Sequence, residues 1–134
     1  MAHGMNERIS NSLICDRSFE FAARALKLCD RLWDRGPSAR HLASQLMRSA
    51  TWIGSNAEEA QEGQTKADFI AKMSISRKEA RESTWWLRLI VKNGTAALKD
   101  VEWELSEAQQ LLTMIRSAIL TARASSRRGE GSRG

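Results

Sequence analysis

Five residues between positions 77 and 92 have side chains suited to holding a nucleic acid. Arg77, Arg81, Trp85, Arg88 and Lys92 follow one another at steps of three or four, so an α-helix places them on one surface strip. Guanidinium groups pair with phosphates, and an aromatic ring can stack on an unpaired base. No acid falls on this strip. The pattern therefore predicts a contact for RNA or DNA.

A second interpretation of the strip needs no ligand. Glu58, Glu59 and Glu62 lie in the preceding apolar segment. They could neutralise the basic residues within one subunit or between two, since charge runs on bundles are commonly paired or solvated faces. The sequence leaves both interpretations open.

Residues 123–134 form a second basic segment in a chain of formal net charge +5. Arg123, Arg127 and Arg128 lie in it, and no apolar side chain larger than alanine does. Such a segment cannot bury enough surface to offset the entropy of ordering it, so we expect a disordered tail. Its arginines are further candidate nucleic-acid contacts, and a merely solubilising end is the alternative.

No arrangement of residues in the chain predicts catalysis. A di-iron bundle needs Glu-x-x-His pairs, but His41 has no glutamate three residues before it and His3 lies at the N-terminus. Phosphate loops, nucleophile motifs and zinc-ligand spacings are absent from the sequence. Cys15 and Cys29 lack a CxxC spacing, which favours buried or idle thiols. We expect a protein that is not an enzyme and uses no metal or cofactor.

Composition and apolar periodicity predict an all-α protein. Proline occurs once among 134 residues, and apolar residues recur at steps of three and four in four segments. These segments predict helices at about 16–33, 38–61, 65–92 and 96–122, in a single domain of residues 1–122. Short turns between long helices favour an antiparallel up-down-up-down four-helix bundle.

Local signals predict the helix ends. Asp16 or Ser18 is a candidate cap for the first helix. The run DRGPS at 34–38 should end that helix before the second begins. Thr65 and Asp68 have the spacing of a capping box. Asn93-Gly94 predicts a left-handed stop after the third helix.

The apolar spacing also predicts which side of each helix is buried. In the first helix the predicted core stripe is Phe19, Ala22, Leu26, Cys29 and Trp33, widened by Phe21, Ala25, Leu28 and Leu32. The second has Ala39, Leu42, Leu46, Ala50, Ile53, Ala57 and Ala60. The third has Phe69, Met73, Ser76, Ala80, Ser83, Leu87 and Val91. The fourth has Val101, Leu105, Ala108, Leu112, Ile115, Ile119 and Ala122.

Several large side chains fall outside these stripes. Trp52 and Trp86 do so on two different helices, and aromatic residues off the core mark contact surfaces. We therefore expect a homo-oligomer. Its predicted interface comprises Trp52, Glu59, Ile75, Glu79, Glu82, Trp86 and Leu89. The alternative is that wide helix faces bury these rings in the bundle of one chain.

The sequence contains no membrane span or signal peptide. No stretch approaches the roughly 18 uncharged apolar residues that a span needs, and the N-terminal MAHGMNERIS lacks an apolar segment. We expect a cytoplasmic protein that does not contact membranes.

The longest family-like stretch is RSATWIGSNAEEAQEGQTKADFIAKMSISRKEARESTWWLRLI, residues 48–90. It resembles the bacterial four-helix-bundle proteins named after open reading frames inside intervening sequences of 23S ribosomal RNA genes. The resemblance spans about residues 16–120, with SNAEEA, KADFIAKMSI and KEARE before WWLRL as its most specific elements. Trp52 stands where that family commonly has a small polar residue.

That family is similar in fold to the accessory variability proteins of diversity-generating retroelements, which bind nucleic acid and a reverse transcriptase. The resemblance therefore implies a ring-like homopentamer and leaves room for a reverse transcriptase as partner. The expected function is a non-catalytic, oligomeric RNA- or DNA-binding protein, one form of which is an accessory subunit of such an enzyme. A protein-interaction scaffold without a nucleic-acid role is the competing hypothesis.

Overall fold

The computed structural model describes the backbone of residues 2–131 and the side chains of residues 4–129. This part of the chain forms four long helices. They are α1 (Ala2–Leu32), α2 (Pro37–Gln61), α3 (Lys66–Lys92) and α4 (Leu98–Gly131), and a 3₁₀ turn at Trp33–Arg35 follows α1. The described residues contain no strand. The predicted all-α class is confirmed.

The helices are arranged in a ring of neighbours. α1 packs on α2, α2 on α3, α3 on α4 and α4 on α1, whereas α1 and α3 lie on a diagonal, with no Cα atoms within 8 Å of each other among the described residues. Ser49 and Ser83 share a hydrogen bond of 2.9 Å between their hydroxyls, and Ser76 donates to the carbonyl oxygen of Ile53 at 2.8 Å. The order of these contacts reverses along the chain, so α2 and α3 are antiparallel.

The core is built from the predicted faces of α2, α3 and α4, with small adjustments. Every residue of the predicted α2 stripe is buried. In α3, Phe69 and Val91 are only half-buried, while Ile90 joins the core. In α4, Leu111 is buried and its neighbour Leu112 is half-buried.

The first helix begins much earlier than predicted. α1 starts at Ala2, so Asp16 and Ser18 lie within it and neither is its cap. Ser18 is fully buried, and a side chain at Gly54 of α2 would come within 3.2 Å of the Ser18 Cβ. A small residue is needed where the two helices approach so closely, and this role, unlike capping, depends on a distant partner.

The buried side of α1 also differs from the prediction. Phe21, Leu28 and Leu32 are in the core, as are Ala25 and Cys29. The remaining large members of the predicted stripe are exposed, namely Phe19, Leu26 and Trp33. Apolar residues occupy both sides of this helix, so periodicity alone could not choose between them.

The fourth helix continues through the segment predicted to be a disordered tail. α4 extends to Gly131, so residues 123–131 are helical, and residues 132–134 lie outside the described part of the chain. Extending an existing helix adds a hydrogen bond for each residue ordered, and arginine and alanine have high helix propensity. The cost of ordering this segment is lowered because it grows from a helix that is already formed.

Predicted signals at three other helix ends are confirmed. The Thr65 hydroxyl accepts a hydrogen bond from the backbone N–H of Asp68 at 3.0 Å and caps α3. Gly94 has a φ of 77°, and the N–H of Thr95 bonds the carbonyl of Ile90 at 3.0 Å, which closes a Schellman motif. Gly36, at φ 119°, interrupts the helical path, and α2 begins at the next residue, Pro37.

Candidate nucleic-acid interface

The predicted basic strip lies on the outer surface of α3. Arg81, Arg88 and Lys92 are exposed and Arg77 is half-buried. Trp85 is 54% exposed, so its ring faces solvent rather than the core. The strip runs the length of the helix, and its two halves have different surroundings.

The half nearer the N-terminus of α3 borders a depression shared with α4. The lining residues are Ser74, Arg77, Lys78, Arg81 and Arg116, around a volume of about 480 Å³. Four of these five side chains are cationic. We call this site the basic groove. Lys78 and Arg116 were not among the predicted contacts. Only packing shows that Arg116 of α4 lies beside the α3 strip.

The basic groove has a continuation along α4. Arg123 is seven residues beyond Arg116 and Arg127 is four further, so helical geometry aligns all three on one side. Arg128 points about 100° away from Arg127. Of the predicted tail contacts, two therefore extend the groove and one does not.

Acids near the strip are paired elsewhere. Glu59 contacts Lys72 at 2.8 Å, and Arg48 of α2 contacts Glu82 at 2.7 Å and Glu79 at 3.6 Å. None of the strip residues, nor Arg116, makes an ion pair within 4 Å with a described residue. Glu59, Glu79 and Glu82 therefore pair with other cations of the chain, and Glu58, Glu59 and Glu62 make no ion pair within 4 Å with the strip among the described residues.

The predicted interface residues lie along the seam between α2 and α3. Trp52 is exposed, with the Arg48 guanidinium 5.9 Å from its ring centre. Ile75 is also exposed. Trp86 is half-buried against the core and meets His41 of α2 edge-on, with 6.1 Å between ring centres. Leu89 likewise packs partly on the core. Contact between two copies at this seam stays a prediction.

Two of the carboxylates that the structure describes are buried. Glu79 in α3 and Glu104 in α4 each have an oxygen without a hydrogen-bond partner among the described residues. Burial raises the pKa of both, and the nearby Glu82 carboxylate adds to the effect for Glu79. Glu104 falls among apolar residues in α4, and nothing in the sequence marked it as special.

The thiols match the expectation of buried or idle groups. Cys29 is fully buried, and burial raises its pKa to about 12. Burial also raises the pKa of Cys15, which is half-buried. Neither thiol ionises appreciably near neutral pH, so neither has the character of an activated nucleophile.

A larger cleft of about 600 Å³ opens between α1, α4 and the turn joining α2 to α3. Its floor includes Ile14, Phe69 and Met114, and its rim is mostly neutral amide and hydroxyl groups. The cleft therefore lacks the positive charge of the basic groove.

Among the described side chains, no three His, Cys, Asp or Glu residues are grouped so as to hold a metal ion. Of the helices in residues 2–131, none combines the length and apolar character that a membrane crossing requires.

Comparison with known proteins places the chain in a family. The family model described as 23S rRNA-intervening sequence protein matches residues 10–117. A similar solved structure is a protein of unknown function from the S23 ribosomal protein family of Bacteroides thetaiotaomicron. It is 30% identical, with a TM-score of 0.75, and the match covers 82% of this chain and 97% of that chain. No curated protein matches the chain. Because the family model covers most of its length, the chain belongs to the 23S rRNA-intervening sequence protein family.

Proposed function

We propose that this protein binds RNA or DNA, without catalysis, in the basic groove between α3 and α4. The observation that carries the proposal is a set of cations that line the groove and make no ion pair within 4 Å with a described residue: Arg77, Lys78 and Arg81 on one helix and Arg116 on the next. Surface arginines on bundles can pair with acids at i±4 or on a neighbouring helix. Here Glu59, Glu79 and Glu82 pair with other cations instead.

The shape of the groove favours the phosphate backbone as the recognised group. Two antiparallel helices hold guanidinium groups on both walls of one depression, so a chain of phosphates can be contacted from two sides. Arg123 and Arg127 extend the same side of α4 and lengthen the track. Contacts of this kind give affinity with little sequence preference, because phosphates are the same in every nucleotide.

Salt dependence of binding tests the proposal. Fluorescence anisotropy with labelled single-stranded RNA, single-stranded DNA and duplexes should show affinity falling steeply as salt rises. The variant R77A/R81A/R116A should weaken binding at least tenfold. Because this variant no longer neutralises three phosphates of a single strand, the slope of log affinity against log salt should drop by about 2.

A matched variant controls for the loss of charge. R8A/R40A/K99A also removes three exposed cations without a described ion pair, but from α1, α2 and the start of α4. It should change affinity far less than the groove variant. Equal reductions in affinity for the two variants, or wild-type binding that is insensitive to salt, would show that the groove is not the binding site.

Two narrower expectations go with this proposal and rest on the family resemblance. One is assembly into a homopentamer, and the other is a role as accessory subunit of a retroelement reverse transcriptase. A reverse transcriptase gene beside the gene for this protein would support the second.

A further inference from the structure

The cleft between α1, α4 and the turn joining α2 to α3 is a site separate from the basic groove. Thr113 and Ser117 of α4 line the cleft, whereas Arg116 of the same helix lines the groove. The volume of the cleft is about 600 Å³. Pockets that hold small molecules have volumes of roughly 300–1,000 Å³, so the cleft has the size of a ligand site.

The floor of the cleft suits a flat ring. Ile14 is buried there, and Phe69 and Met114 are half-buried. Arg17 holds Met114 in place, since its Nη1 donates to the Met114 sulfur at 3.3 Å while its Nε donates to the Glu107 carboxylate at 3.0 Å. Aromatic rings and thioethers are polarizable, and both make favourable contacts with another aromatic ring.

The rim of the cleft offers unused hydrogen-bonding groups. The side-chain amides of Asn6 and Asn11 and the hydroxyl of Ser10 make no hydrogen bond with a described residue. Gln61 donates its Nε2 to the carbonyl oxygen of Ala57 at 2.9 Å, which leaves its own Oε1 as an acceptor. A side-chain amide has a donor beside an acceptor, so it can pair with two adjacent groups on the edge of a heterocycle. We call this site the amide cleft.

The charge of the amide cleft favours an uncharged ligand. Glu7 and Lys66 are the charged residues that line it, one of each sign. A charged group that leaves water needs an opposite charge or several hydrogen bonds in return, and the balanced lining supplies no net charge. Phosphate groups match the four cations of the basic groove instead.

One wall of the amide cleft is tightly built. Gly63 lies so close to the start of α3 that a Cβ there would come within 3.0 Å of the Asp68 Cβ. The hydrogen bond from the Asp68 N–H to the Thr65 hydroxyl holds the same turn. A site with walls that are already ordered binds a ligand at a smaller entropic cost.

We propose that the amide cleft binds a small, uncharged heteroaromatic molecule of the nucleobase or nucleoside class. The ring lies against Phe69 and Met114, and its edge pairs with the amides of Asn6 and Asn11. Stacking and edge pairing together distinguish such a molecule from a purely apolar one. The recognised chemistry is the same for a free nucleoside and for an unstacked base of a strand, and the site does not depend on the basic groove.

NMR of methyl-labelled methionine tests the proposal, with Met114→Leu identifying the Met114 signal. Adenosine represents the free nucleoside, and a single-stranded adenine oligonucleotide represents a base in a strand. The Met114 methyl signal should move upfield in a saturable way, because it lies over the face of the bound ring. Met47 and Met73 do not line the cleft, so their signals should stay in place. A saturable Met114 shift with either probe supports the proposal, and its absence with both overturns it.

Removal of the rim amides tests the edge pairing. N6A/N11A should weaken adenosine binding by roughly fivefold or more, as expected for lost hydrogen bonds. The control Q45A/Q109A removes one half-buried and one exposed amide outside the cleft, matching the exposure of the first pair. It should bind adenosine as the wild type does. Equal affinities of the two double variants would contradict the proposed contacts.

Two further variants separate this site from the basic groove. Ser117 is exposed on the rim, so S117F should fill the cleft and abolish adenosine binding while circular dichroism shows an unchanged fold. R77A/R81A/R116A should bind adenosine as tightly as the wild type. Binding that persists in folded S117F, or that is lost only in the groove variant, would overturn the proposal.

Discussion

Single buried residues in this protein have properties that depend on their neighbours. Glu104 is 4% exposed, and one of its oxygens has no hydrogen-bond partner among the described residues. Ionising such a group costs free energy in the folded chain, and the positive charge of Arg24 offsets that cost only in part, since burial is the larger influence on the pKa of Glu104.

The raised pKa of Glu104 predicts a pH-dependent stability. The folded state holds the proton to higher pH than the unfolded chain does, so this group favours unfolding progressively as pH rises above its ordinary value of 4.5. Glu104→Gln should therefore raise the free energy of unfolding at neutral pH, by about 1 kcal/mol for a relieved unsatisfied group. The gain should vanish near pH 4.5.

Urea unfolding of the wild type and the variant at several pH values measures this difference. Glu79 retains its own raised pKa in both proteins, so its contribution cancels. A variant that is less stable at neutral pH would mean that the Glu104 carboxylate is well solvated or paired in solution.

At the scale of the helix, the end of α3 is determined by a short local motif. Gly94 adopts a positive φ in the motif that ends α3, and a Cβ there would meet nothing within 4 Å. The cost of a side chain at this position is therefore almost purely that of the backbone conformation. This makes the site a clean test of helix termination.

Gly94→Ala should destabilise the protein by about 1 kcal/mol, because alanine resists the left-handed conformation. Gly4→Ala is the opposite case, since Gly4 lies within α1 in open space and alanine favours helix there. Thermal melts of the two variants should shift in opposite directions, with Gly94→Ala melting lower. A melt of Gly94→Ala at the wild-type temperature would contradict the described end of α3.

For the whole molecule, the bundle core and the basic surface make separable contributions. Leu87 is fully buried in α3 and Arg81 is exposed on the same helix. Truncating the Leu87 side chain leaves a cavity in the core, whereas the space left by truncating Arg81 is filled by solvent.

Leu87→Ala should lower the free energy of unfolding by about 2–5 kcal/mol, and Arg81→Ala by less than about 1 kcal/mol. Conversely, only Arg81→Ala should weaken RNA binding under conditions where both variants are folded. Chemical denaturation and anisotropy on the same preparations check both statements. Comparable decreases in stability would show that the described face of α3 is wrong.

The sequence was sufficient to predict structural features that depend on the residues of one helix alone. The α2 stripe, the Thr65 cap and the Gly94 stop depend on side chains within a few residues of one another. Their physics is local, since helical periodicity and capping bonds need no distant partner. The four-helix class followed for the same reason.

The tertiary structure decided every feature that required a second helix. The sequence could not choose which apolar side of α1 is buried, because both sides carry apolar residues and the choice depends on the close approach of Ser18 to Gly54. It could not place Arg116 beside Arg77 or pair Arg48 with Glu82, because neighbouring positions on separate helices have no fixed spacing along the chain. Side-chain types and local periods are properties of the sequence, whereas the orientation of each helix about its axis is settled only when four helices pack together.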